Sequence, residues 1–318
     1  MGFFYYGSSE TGDYRDPRSV NEVMIPYGTG EIPRGAFEDH SSLERIELPE
    51  GVRRIGAGAF RHCQSLERIT LPSSVEELGD GAFHGCVSLR EADVLGKVTD
   101  IGNMAFYRCV SLVDVRLPDS VTVIGDDAFG RCSSLMDIVI PPRLRRVGAK
   151  AFGGCSSLID ITLPDGLRSI GEEAFCGCSS LTEISVPDSV TEIGYGAFSG
   201  CRMLGEIFIS AVQLPMLADG AASFNAGVRG CILGKRHKRL SEAEEAMLSE
   251  TVEKYSSLFA ELKFDNIELL RSLTASGLLC EDTARDILGL CHSAECRAIL
   301  LNYLKDGGGI DIDKELGL

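Results

Sequence analysis

The clearest pattern in the chain is the spacing of its apolar positions. Phenylalanine stands at 37, 60, 83, 106, 129, 152, 175 and 198, always 23 residues apart, with no insertion or deletion. Eight units of this length govern more than half of the 318 residues. A fixed period in this range predicts a solenoid, in which each unit forms one coil and packs only on its neighbours. Inside each unit apolar and polar residues alternate ahead of a proline, as in Ile46-Glu47-Leu48-Pro49 and Ile161-Thr162-Leu163-Pro164. That period of two predicts a strand. The prolines at 26, 49, 72, 118, 141, 164 and 187 end it, because proline offers no ladder donor.

A second short apolar pair follows, such as Val52 with Ile55 and Val121 with Ile124, and then a glycine at 56, 79, 102, 125, 148, 171 and 194. Glycine alone takes positive φ freely, so a left-handed turn is expected at this column. The segment Ala-Phe-x-x-Cys-x-Ser-Leu then closes the coil as one short helical or 3₁₀ turn. About eight apolar side chains point inward from each coil, more than one coil can bury alone, so the coils must stack. The third unit departs from the pattern, with Ala92 in the isoleucine column and Leu95 in the proline column. Since the spacing on both sides is intact, a local irregularity is expected there.

Residues 1–19 precede the clear repeats and open with the aromatic cluster Phe3, Phe4, Tyr5 and Tyr6. An open solenoid end needs covering, so this stretch is read as an N-terminal cap. Val20, Val23, Ile25 and Pro26 match the second half of a repeat and begin the solenoid. From Leu204 the pattern decays; Ile207 and Ile209 still suit a strand, while residues 211–232 keep only Phe224 and Cys231 as echoes. The solenoid is therefore placed at 20–233, with a degenerate last coil. Residues 234–318 turn to helix formers, starting with a capping box at Ser241 and Glu244, and are read as a small all-α module.

The unit L-x-x-I-x-L-P-x-x-V-x-x-I-G-x-x-A-F-x-x-C-x-S resembles the BspA-like leucine-rich repeats over residues 20 to about 210. The resemblance implies a right-handed parallel β solenoid. It also implies a protein-binding or surface-adhesion role, since the better-known members are surface proteins implicated in adhesion. The segments around Leu269-Leu270 and Ala298-Leu301 are weakly similar to ankyrin-type helical hairpins.

Charge and composition narrow the function classes. Net charge is −16, from 47 acids and 31 bases. A nucleic-acid surface needs clustered Lys and Arg, and an anionic membrane surface needs the same, so neither partner is expected. The N-terminus shows no basic stretch followed by an apolar one, and no run approaches the ~18 apolar residues of a membrane span. A cytoplasmic location is expected, or a secreted or cell-surface one if an export signal has been removed.

Seven cysteines, 63, 86, 109, 132, 155, 178 and 201, occupy one repeat column, with His40 in the same place of the first unit. Stacked equivalent side chains point the same way, whereas a disulfide needs Cβ atoms converging to ~3.8 Å. A ladder of packed, reduced thiols is expected. Cys280, Cys291, His292 and Cys296 offer metal-ligand chemistry by residue type, but their spacing fits no common zinc pattern. A metal- or redox-active protein using them is the rival reading from another class. The motifs of serine hydrolases, zinc proteases and phosphate loops are missing. His40, His62 and His84 fall in three different registers and are not expected to converge. No enzyme and no cofactor is indicated. The basic run from Lys235 to Arg239 is read as a solvated linker.

One column suggests a binding face. The residue before the first apolar strand position reads Arg45, Arg68, Glu91, Asp114, Asp137, Asp160, Glu183 and Glu206. Six acids in line at ~5 Å repel by about 0.8 kcal/mol per adjacent pair in water, a cost that stacking can carry. Two positions on, Glu47, Thr70, Asp93, Arg116, Val139, Thr162, Ser185 and Phe208 vary as a face fitted to a partner would. Glu91, Asp93, Asp114, Asp137, Asp160, Glu183, Glu206 and Phe208 are thus the expected contacts for a protein or peptide partner, specifically a basic one. An exported adhesin contacting host matrix is the alternative binding role.

Overall fold

The computed structural model describes residues 20–204, the strands Tyr5–Tyr6, Glu206–Ile209 and Cys231–Leu233, Leu288 and the helix Ala294–Asp306. The remainder of the N-terminal cap, of the last coil and of the helical module, including Lys235 to Arg239, lies outside the described residues.

The chain is a parallel β solenoid. Within each sheet of the regular repeats a strand pairs in parallel with its equivalent 23 residues away, as Arg68 with Glu91 and Ile69 with Ala92, or Val123 with Arg146 and Ile124 with Val147. One face is a continuous eight-stranded sheet of two-residue strands, running from Glu31–Ile32 to Glu192–Ile193. The strands ahead of the prolines form the other face. Tyr5–Tyr6 joins that face at its first edge, pairing antiparallel with Glu22–Met24.

The strand face is less regular than the alternation predicts. It divides into three short sheets, and residues 137–139 and 160–162 are not in ladders. The longer gap lies between Asp114 and Glu183, around Asp137 and Asp160; like charges alone do not account for it, since Glu91 with Asp114 and Glu183 with Glu206 are paired in ladders. At the third unit the irregularity is small and intelligible: with leucine in place of proline, the Leu95 N–H donates to the Leu71 carbonyl at 3.2 Å and the ladder runs one residue further.

Between the faces lies a core of stacked columns. The eight phenylalanines stack with ring centroids 5.2–5.6 Å apart and planes within 10° of parallel. Such offset stacking suits the ring quadrupole while burying a large side chain in every coil. Each cysteine of the column donates its S–H to the phenylalanine carbonyl 26 residues earlier, at 3.1–3.2 Å, as Cys132 does to Phe106. The seven cysteines of the column and Cys176 are free thiols, and the seven of the column are buried.

The turn after the second strand corrects two expectations. Bonds of 3₁₀ type are present, such as Cys63 N–H to Phe60 O at 3.2 Å, yet no helix forms. The reason is that two positions per coil, two before and two after each phenylalanine, take positive φ. Glycine fills some of them (Gly58, Gly81, Gly85, Gly154, Gly177), but Met104, Lys150, Glu173, Arg108 and Arg131 fill others at φ 52–61°. This alternation turns successive N–H groups toward the next coil, where Phe60 donates to Ala82 O at 2.7 Å and His62 to His84 O at 2.8 Å.

The glycine column at 56 to 194 is not left-handed. A Cβ added at Gly56, Gly79 or Gly171 would lie 2.5 Å from a backbone nitrogen of the preceding coil. Glycine is needed there for close approach of two coils.

Candidate functional site

The strand face carries the expected contact residues, because alternation turns Ile46, Ile69, Val115, Ile138, Ile161 and Ile184 inward and their neighbours outward. The acidic column lies on this outward side, and it is not uniform. Arg68 pairs with Glu91 at 3.1 Å, while Arg116 reaches both Asp93 and Asp114 at 3.6 Å. These exposed pairs contribute little stability, since water screens them, but they neutralise the first half of the track. Asp137, Asp160 and Glu183 are exposed and have no cation within ion-pair distance among the described residues. Glu206 and Phe208 continue the column as strand backbone paired with Glu183 and Ser185; their side chains lie outside the described residues.

Sequence reasoning missed what flanks the track. One position earlier, Val113, Met136 and Ile159 form a column of exposed apolar side chains, each 42–53% accessible, and Val139 two positions beyond Asp137 is 79% accessible. Single exposed apolar residues need no explanation, but four gathered over three coils make a patch. The signal was available in the register of the repeats, where the same column holds Glu44, Glu67, Arg90, Thr182 and Gly205 in other units. The patch and the unpaired carboxylates adjoin. Toward the N-terminus the same face opens into a groove of ≈ 830 Å³ lined by Glu44, Arg45, Glu47, Glu67, Arg68 and Thr70, among others.

The chemistry elsewhere is structural. Burial pushes the thiols of Cys63, Cys132 and Cys201 up to about 12, and those of Cys86, Cys109, Cys155 and Cys178 well above their ordinary value, so none of the seven is a ready thiolate. Among the described residues no group of three or more His, Cys, Asp or Glu could hold a metal. Cys280, Cys291 and His292 lie outside the described residues, as does the side chain of Cys296. The histidines require a correction: His62 and His84 do meet, with ring centroids 5.4 Å apart. Their registers differ by one position and their coils by one, which leaves both rings on the same turn edge.

Two faces of parallel strands joined by stacked apolar columns define a leucine-rich-repeat solenoid, and comparison with known proteins places it further. Residues 14–136 and 99–214 match the BspA type leucine rich repeat region, in six copies, so the chain belongs to that family. Solved structures similar to it include the leucine-rich repeat protein of T. pallidum, at 30% identity, covering 64% of this chain and 78% of that one with a TM-score of 0.40. A leucine-rich repeat protein from Eubacterium ventriosum is 26% identical, covering 57% of this chain and 42% of that one, with a TM-score of 0.41. A leucine rich cell surface protein from Faecalibacterium prausnitzii is 24% identical, covering 73% and 76%, with a TM-score of 0.38. No curated protein matches. Proteins with such repeats generally act in protein–protein interaction or adhesion. Among the described residues no helix is long and apolar enough to cross a membrane.

Proposed function

We propose that the chain is a non-enzymatic scaffold that receives a basic, amphipathic protein segment on its strand face. The observation that carries this reading is the adjacency of two columns: Asp137, Asp160 and Glu183 without cationic partners, and Val113, Met136 and Ile159 exposed beside them. A partner with lysine or arginine on one side and apolar side chains on the other answers both columns at once. Charge sets orientation and speeds encounter, while burial of the apolar column supplies affinity.

The test is a titration of a fluorescent synthetic peptide carrying lysines and leucines, against the protein and its Asp137→Lys/Asp160→Lys/Glu183→Lys variant. Binding to the parent that weakens with salt and drops at least about tenfold in the variant is expected, from loss of three charge pairs. Equal binding by a folded variant would remove the acidic track from the account, and an unchanged affinity in Met136→Ser/Ile159→Ser would remove the apolar column.

A further inference from the structure

A second surface, on the turn edge rather than the strand face, stands out against the acidity of the chain. Over four successive coils the two positions after phenylalanine read Arg61-His62, His84-Gly85, Tyr107-Arg108 and Gly130-Arg131. The rings form one continuous row: His62 meets His84 edge-to-face with centroids 5.4 Å apart, His84 meets Tyr107 tilted at 5.1 Å, and the Arg131 guanidinium carbon lies 6.0 Å from the centre of the Tyr107 ring. Glycines make this row possible. A Cβ at Gly85 would fall 2.5 Å from His62 Cδ2, and one at Gly130 would fall 2.9 Å from Tyr107 Cδ2, so each ring rests on the bare backbone of the next coil.

The ridge holds its cations close together. Glu38 faces Arg61 at 3.7 Å and Asp39 accepts from His62 at 3.0 Å, which neutralises the first coil. Arg108 and Arg131, both exposed, have no ion pair among the described residues, although Asp127 lies close enough to Arg131 to feel it. The crowding has a measurable consequence at His84. Burial lowers its affinity for a proton, and Arg61, His62 and Arg108 lower it further, as expected where positive potential accumulates. Arg108 and Arg131, exposed beside these rings and without an ion pair among the described residues, are free to meet the anionic groups of a ligand.

We propose that the ridge from Arg61 to Arg131 binds an acidic peptide segment lying extended across four coils. Three inter-coil steps of ~4.8 Å need about four or five residues of extended chain. The arginines suit carboxylates because a guanidinium presents a planar fork of donors to a planar pair of acceptors. A sugar is less well served: His62 and Tyr107 lie against glycine backbone, Arg131 lies over Tyr107 and the rings abut one another, so little open ring face is offered beside the cations. The acids of the rest of the chain do not prevent this, since charges more than ~8 Å away are largely screened at physiological salt. This surface is separate from the strand face, and the proposal is independent of the function proposed above.

The test uses the full chain and a fluorescent hexapeptide of glutamate and aspartate, followed by anisotropy at 50 and 200 mM salt. The natural control is Arg108→Gly/Arg131→Gly. Both arginines sit at φ 61°, and glycine already fills the equivalent positions 85, 154, 177 and 200, so the change removes charge without straining the turn. Salt-sensitive binding that falls about tenfold or more in this variant is expected, with a second sign in an NMR titration: the His84 midpoint should rise when the peptide is present, because carboxylates offset the field of Arg61 and Arg108. Equal binding by the variant, no peptide binding at 50 mM salt, an unmoved His84 midpoint, or tighter binding of a sulfated oligosaccharide than of the peptide would each overturn the proposal.

Discussion

Replacing Gly125 by alanine separates two accounts of the glycine column. If the column served a left-handed turn, the cost would be that of an L-residue in that region, about 1–2 kcal/mol. The structure gives a different reason: a Cβ at Gly125 would lie 2.7 Å from the Ile101 carbonyl oxygen and 2.8 Å from both the backbone nitrogen and Oδ1 of Asn103. These atoms cannot swing away, because Gly125 N–H donates to Ile101 O at 2.9 Å and Asp126 N–H donates to Asn103 Oδ1 at 2.8 Å. To admit the methyl the coils must separate, which costs about 1–3 kcal/mol of overpacking and about 1 kcal/mol for each hydrogen bond lost. Gly125→Ala should therefore destabilise by about 3–5 kcal/mol. The control is Gly177→Ala, where φ is +75° but the nearest atoms are 3.7 Å away; it should cost only the 1–2 kcal/mol of backbone strain. Urea unfolding followed by far-UV circular dichroism reads both. A Gly125→Ala midpoint no lower than that of Gly177→Ala would refute the close-approach argument.

Phe129 is fully buried between Phe106 and Phe152, so Phe129→Ala should cost about 3–5 kcal/mol, and an unchanged melting temperature would contradict its place in the stack. Met104→Gly should be neutral to stabilising by up to ~1 kcal/mol, because relief at φ 55° exceeds the added chain entropy; clear destabilisation in urea would count against strain there. The column thiols have folded pKa values raised above their ordinary 9.0, so the stability they carry is complete below about pH 9 and is lost as pH rises toward about 12. Urea midpoints should fall across that alkaline window, and at pH 8 a disulfide reagent should reach half-buried Cys176 before any of the seven; fast labelling of the column would contradict their burial.

The scaffold was legible because stacking forces equivalent residues into equivalent surroundings, so the period of 23 alone placed Phe37 to Phe198, the cysteine ladder and both strands. A column that must be glycine reveals that a side chain is excluded, and does not say whether φ or a neighbour excludes it; Gly56 and Gly125 were misread for that reason. The left-handed positions at Met104, Lys150 and Glu173 left no trace, since the hydrogen bonds to the next coil that hold them there are made by backbone. On the candidate face, the acidic column could be read from register, but its division could not. Arg68 and Arg116 neutralise Glu91 and Asp93 across coils, and Arg116 also reaches Asp114 in its own strand; these contacts depend on where long side chains turn. The His62–His84 contact was hidden for a similar reason, being one step along the chain and one across.

The claim that the strand face receives the partner is tested most directly by hydrogen exchange with and without the lysine–leucine peptide. Protection should rise at residues 136–139, 159–162 and 182–185 and stay unchanged along the eight-stranded face. Protection confined to that opposite face, or none at a saturating peptide concentration, would contradict the account.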